Sequence, residues 1–200
     1  MSFAATLRSA RIVAILRRPD IHEVVLDLCD DLHASGVRAM EVTLDQATSL
    51  DALGRLAAHA PSDMRIGAGT VMTPEHLDAA SEAGATFVVC PHLDLELIRR
   101  AANRHVDILP GVTSSTEVAT ALAAGVATLK LFPVGPLGPD YLRALRGPFP
   151  QAAFVPTGGI RADQVSAWLE AGAAAVGLGS DLIGPGGIHP AILDLLEQPT

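Results

Sequence analysis

Lysine is all but missing from this chain. Of the 14 lysine and arginine residues among 200, 13 are arginine and the one lysine stands at position 130. Aromatic residues make up only 4%, so a core has to be built from alanine, valine, leucine and isoleucine. Two cysteines, Cys29 and Cys90, are too few for a disulfide scaffold. They fit a reducing compartment, and a cytoplasmic protein is expected. No apolar run approaches the roughly 18 residues of a membrane-spanning helix. The opening segment, MSFAATLRSARIVAIL, lacks a clear small-residue cleavage site and reads as a lead-in to the first strand. A formal net charge of −8 argues against nucleic acid or an anionic membrane surface as partner. It leaves room for a small anionic ligand, which needs only local positive groups. The histidines show no HxH or HExxH spacing and no CxxC accompanies them, so no metal site is expected. GxSxG and Walker-type loops are absent as well.

What remains is an apolar, ordered chain, 49% hydrophobic with a mean hydropathy of +0.35. Apolar runs with strand character fall at 12–16, 39–44, 65–71, 86–91, 106–112, 128–134, 153–160 and 174–182. Segments of helical periodicity separate them. Thr73 with Pro74, Asp94, and Ser114 with Glu117 are in place to open three of those helices. A phrase recurs before every second strand: SGVRAMEV, EAGATFVV, AAGVATLKLF, EAGAAAVGLG. Its glycines, Gly36, Gly84, Gly125 and Gly172, end the preceding helices and mark a period of two strand–helix units. Alternation predicts a parallel sheet, and eight units predict a (β/α)₈ TIM barrel as a single domain over 1–200. An open doubly wound sheet would carry GxGxxG after the first strand, where this chain reads LRRPDI.

In such a barrel the active site lies at the C-terminal ends of the strands. Lys130 sits inside the apolar run TLKLFPV, and burying a charge is costly unless it is paired or neutralised. Desolvation favours the neutral amine, which is a nucleophile. Glu41, in AMEVTL, is the matching in-strand carboxylate. The two can be a structural ion pair or an amine nucleophile with a proton shuttle. Arg17 ends the first strand, where its fork suits a carboxylate. Glycines after the last two strands, in Thr157-Gly158-Gly159 and Gly177-Leu178-Gly179-Ser180, suit a phosphate cradle of backbone N–H groups.

These residues stand in motifs that resemble one family, the 2-keto-3-deoxy-6-phosphogluconate (KDPG) and 4-hydroxy-2-oxoglutarate aldolases, with the related phosphogalactonate aldolases. The motifs are AILR, MEVTL, GAGTV, CPH, LPGV, LKLFP, GPFP, VPTGGI and GLGS, in that order. The resemblance implies a class I aldolase that needs neither metal nor organic cofactor. Lys130 would form the Schiff base and Glu41 would act as general acid/base through a water. Arg17 and Thr70 would hold the pyruvate end and Pro91 would line the pocket. Gly158, Gly159, Gly179 and Ser180 would bind the phosphate of a phosphorylated keto acid. Thr157 resembles the gluconate-type members. A homotrimer is implied too. Two features depart from the pattern: Asp45 stands where some members carry an arginine, and the C-terminal helix is short. The alternatives are 4-hydroxy-2-oxoglutarate or phosphogalactonate as substrate, a metal-dependent or epimerase-type barrel, and a non-catalytic barrel that binds a phosphometabolite.

Overall fold

The structure is a computed structural model and describes residues 3–17, 22–184 and 187–198. Strands β1 (Ile12–Leu16), β2 (Ala39–Thr43), β3 (Arg65–Gly69), β4 (Phe87–Val89), β5 (Asp107–Leu109), β6 (Gly111–Val112), β7 (Thr128–Leu131), β8 (Ala153–Pro156) and β9 (Val176–Leu178) are all parallel to their neighbours. Helices α1 (Phe3–Ala10), α2 (His22–Ala34), α3 (Ser49–His59), α4 (Pro74–Glu82), α5 (Leu95–Arg104), α6 (Ser115–Ala123), α7 (Gly138–Arg146), α8 (Val165–Glu170) and α9 (Pro190–Glu197) accompany them. A small antiparallel pair, β10 (Ile183–Gly184) and β11 (Gly187–Ile188), follows the last barrel strand. The LRRPDI turn lies outside the described residues beyond Arg17.

The strand order closes a ring. One sheet runs β5-β4-β3-β2-β1-β9 and the other β6-β7-β8. Pro110 divides the expected fifth strand into β5 and β6, because proline has no N–H to give to the ladder. Its carbonyl still accepts from the Lys130 N–H at 3.0 Å, so the ring continues through it. On the other side a bridge between Thr157 and Gly177, with Ala174 N–H donating to the Phe154 carbonyl at 2.8 Å, joins β8 to β9. This is the expected (β/α)₈ barrel. Its strands are shorter than the apolar runs suggested, because the C-terminal ends of those runs leave the sheet as loops at the mouth.

Alternation along the strands divides the apolar residues into two sets. Met40, Ile66, Val88, Leu129 and Phe154 pack outward with Leu32, Leu53, Leu77 and Leu97 of the helices. Val13, Ala39, Phe87, Leu109, Val155 and Ala175 form a separate inner cluster with Phe3 and Leu7. Those last two belong to α1, where the sequence reading expected only a lead-in. Phe3, Leu7 and Ala10, spaced along one helical face, are buried, and the Phe3 ring lies 5.2 Å from that of Phe87. The helix thus closes the N-terminal end of the lumen. Gly67 makes space for this plug, since a Cβ there would stand 2.5 Å from the Phe87 ring.

The expected caps are present. The Thr73 hydroxyl accepts from His76 N–H, Asp94 from Glu96 and Leu97 N–H, and Ser114 with Glu117 forms a reciprocal capping box.

Candidate active site

Lys130 pairs in register with Gly111 on β6 and with Val155 on β8. Val155 belongs to the inner cluster, and cross-strand partners share a face, so Lys130 points into the lumen. It is 7% exposed. Its Nζ lies 4.8 Å from the centre of the Phe132 ring, and it makes no hydrogen bond or ion pair with any described side chain. Glu41 stands two residues beyond Ala39, another member of the inner cluster, and so shares its face. It is 3% exposed. Burial raises its carboxyl above the ordinary range, against the opposing pull of Lys130 and Arg17. The two groups therefore face one space without closing into a contact pair.

Neighbouring residues are shaped around these two. Gly69 leaves the Glu41 carboxylate its place, since a Cβ there would lie 2.6 Å from Oε1. Thr70, the next residue, holds φ at +58°, a left-handed conformation rare for a β-branched side chain. Such strain costs on the order of 1–3 kcal/mol and gathers at functional sites. Gly111 lacks a side chain where the Pro91 backbone packs against it. Cys90, beside Pro91, is no rival nucleophile. Burial pushes its thiol up to about 12, with Lys130 pulling the other way.

Arg17 leaves β1 at the mouth, 63% exposed, with Nη1 3.7 Å from Asp45 Oδ2. Asp45 also accepts from the Thr43 hydroxyl at 2.9 Å. The sequence reading placed Arg17 at the strand end but not in this pair. Register brings them together, since Leu16 pairs with Val42 and both residues leave adjacent strands at one level.

Across the mouth, Gly158 and Gly159 hold φ at +90° and +77°, which glycine alone tolerates easily. The N–H groups of Gly159, Gly179 and Ser180 donate to no acceptor among the described residues, while that of Gly158 faces the Gly177 carbonyl in the bridge between Thr157 and Gly177. The Thr157 hydroxyl occupies the space that a side chain at Gly177 would fill.

All ten residues singled out from the sequence, Arg17, Glu41, Thr70, Pro91, Lys130, Thr157, Gly158, Gly159, Gly179 and Ser180, line one cavity of about 790 Å³. Phe132 and Ile15 line it too, and neither was anticipated. Among the described residues, no group of three or more histidine, cysteine, aspartate or glutamate side chains is placed to hold a metal ion. One wall thus presents an amine and a carboxyl out of water, and the rim presents unpartnered N–H groups. That arrangement suits covalent chemistry on a carbonyl compound that carries an anionic group.

Barrel and cavity together define a lumenal-lysine (β/α)₈ enzyme. Residues 3–195 match the family described as KDPG and KHG aldolase. The chain is 42% identical over 163 residues to 2-dehydro-3-deoxy-phosphogluconate aldolase of Pseudomonas aeruginosa, covering 81% of this chain and 73% of that one. It is 35% identical over 172 residues to 2-dehydro-3-deoxy-6-phosphogalactonate aldolase of Escherichia coli K12, covering 86% and 83%. A solved structure of the KDPG aldolase of Legionella pneumophila, with pyruvate captured as a covalent carbinolamine intermediate, superposes with a TM-score of 0.84 at 30% identity, covering 98% and 97%. The chain belongs to the KDPG/KHG aldolase family. It is an aldolase, a carbon–carbon lyase.

Proposed function

We propose that the chain cleaves 2-keto-3-deoxy-6-phosphogluconate to pyruvate and glyceraldehyde 3-phosphate. The observation that carries this reading is the placement of Lys130 and Glu41 on the inner face of the same cavity. Lys130, as free amine, attacks the C2 ketone. The carbinolamine loses water to a protonated imine. Glu41, through a water, takes the proton of the C4 hydroxyl, the C3–C4 bond breaks, and its electron pair moves into the imine to give an enamine. The aldehyde leaves. Protonation of the enamine at C3 and hydrolysis of the imine release pyruvate and restore the amine. Because the imine is the electron sink, the scheme calls on no other cofactor.

In this reading Arg17 and Thr70 hold the carboxylate end, and Pro91 with Phe132 forms the apolar wall. The N–H groups of Gly158, Gly159, Gly179 and Ser180 receive the phosphate. Thr157 favours the gluconate substrate over 2-keto-3-deoxy-6-phosphogalactonate and 4-hydroxy-2-oxoglutarate. The likeness to the family supports one barrel domain over the whole chain, working in the cytoplasm as a homotrimer. No helix among the described residues is long and apolar enough to cross a membrane.

The test is borohydride reduction in the presence of pyruvate, followed by peptide mass mapping. The expected adduct is on the peptide containing Lys130. No adduct there, or full turnover by Lys130→Ala, would falsify the reading. A substrate panel of the three keto acids then ranks the alternatives.

A further inference from the structure

The loop after β8 passes from Gly158 and Gly159 into a short 3₁₀ turn, Ala162–Gln164, that continues as α8. The residue before that turn, Arg161, holds the N-cap position. Serine, threonine, aspartate or asparagine usually stands there, because the side chain must accept a hydrogen bond from a backbone N–H. A guanidinium offers only donors. Arg161 instead turns to Asp163, with two contacts of 3.0 Å. The exposed N–H is satisfied from elsewhere. Asp181 Oδ2 accepts from the Ala162 N–H at 2.6 Å, across 19 positions of sequence.

That partner comes from the other anion-binding loop. Asp181 directly follows Gly179 and Ser180, and Ala162 lies three residues past Gly159. At their bases the two loops meet through the bridge between Thr157 and Gly177. The Asp181–Ala162 bond fastens them again at their far ends, so the N–H groups of the two loops lie between two ties. The bond is charge-assisted, which makes it a stronger tie than a neutral one. The Asp181 charge also acts on Arg161, whose guanidinium is held above its ordinary range by Asp163 first and by Asp181 in smaller part.

We infer that Asp181 is a positioning residue: it clasps the two glycine loops together and so sets the spacing of the N–H groups that receive the substrate's phosphate. The inference rests on the aldolase reading above. Asp181 touches no reacting atom. It acts through the geometry of Gly158, Gly159, Gly179 and Ser180.

Three variants test it: Asp181→Ala, Asp181→Asn, and the double variant Arg161→Ser/Asp181→Ala. Each is assayed for kcat and KM with a phosphorylated 2-keto-3-deoxy sugar acid and with unphosphorylated 4-hydroxy-2-oxoglutarate, and for binding of inorganic phosphate by calorimetry. Asp181→Ala is expected to raise KM for the phosphorylated substrate, and Kd for inorganic phosphate, by roughly tenfold, the scale of one charge-assisted bond. It should leave kcat and KM for the unphosphorylated substrate within about twofold of wild type, a difference below the worth of one such bond. Asp181→Asn keeps an acceptor oxygen but not the charge, and should fall between wild type and Asp181→Ala. The double variant restores a local cap without the clasp. Its melting temperature should recover while its phosphate binding stays weak. Equal losses on both substrates, no loss on either, or recovery of phosphate binding in the double variant would overturn the inference. Should wild type turn over neither keto acid, the aldolase reading fails, while the phosphate titrations across the same variants still decide the role of Asp181. Absence of phosphate binding by wild type overturns it as well.

Discussion

Gly69 stands where the Glu41 carboxylate comes to rest: a methyl group there would meet Oε1 at 2.6 Å. The backbone at Gly69 is not left-handed, so alanine fits the strand. What yields is the far end of a flexible side chain. Gly69→Ala should therefore fold nearly as well as wild type yet displace the carboxylate. A misplacement of about 1 Å can cost on the order of 10²-fold in rate. Turnover is expected to fall toward that scale, while imine trapping at Lys130 with pyruvate persists. Unchanged turnover would mean that the position of Glu41 does not matter to the chemistry.

On its proposed role, Glu41 ties function to stability. Burial raises its pKa in the folded chain above that of the unfolded chain. Below the ordinary carboxylate range both states are protonated and burial carries no penalty. As pH rises through the raised folded value, the unfolded state ionises more readily and the fold loses stability. Glu41→Gln removes that penalty. Its urea midpoint should exceed that of wild type at pH 7, and the gain should vanish in acid. Turnover should drop on the order of 10²–10⁴-fold, the usual worth of general acid–base help. A midpoint at pH 7 equal to or below that of wild type would show that attraction to Lys130 and Arg17 outweighs desolvation.

Asp78 works in the opposite sense. The guanidinium of Arg100, with that of Arg104, holds its carboxyl down at about 2, and the three residues join α4 to α5. The pairing contributes stability above the ordinary aspartate range and loses it as pH falls toward that depressed value. Asp78→Asn should lower the melting temperature at pH 7, and the gap from wild type should close near pH 2. The pair is solvent-facing, so added salt should narrow the gap at neutral pH.

The plug helix is tested by Leu7→Ala. Leu7 is fully buried, and truncating such a leucine costs roughly 2–5 kcal/mol. Thermal unfolding should shift down accordingly. KM at low temperature should hold, because the cavity lining includes no residue of α1.

The barrel was legible because the apolar strand runs, the helical runs and the recurrent glycines all agreed, and the lone lysine pointed to its centre. Helix α1 escaped notice because its one buried stripe, Phe3, Leu7 and Ala10, is short and runs into the apolar residues of β1. Whether Glu41 and Lys130 face inward depends on strand parity, which a shift of one residue inverts. Only the register opposite Val155 and the spacing from Ala39 settled it. The ion pair of Arg17 with Asp45 and the bond of Asp181 to Ala162 join residues far apart in sequence. Neither leaves a local pattern to read.

With Phe3, Leu7 and Phe87 filling its floor, the lumen is closed at its N-terminal end among the described residues. On the proposed reaction, what reaches the amine comes from the opposite end, where the glycine rim stands. This imposes an order on traffic: the aldehyde, formed nearer the rim, must depart before the three-carbon fragment still tethered to Lys130 can be hydrolysed and follow it out. Product-inhibition patterns should accordingly show pyruvate as the last species to leave.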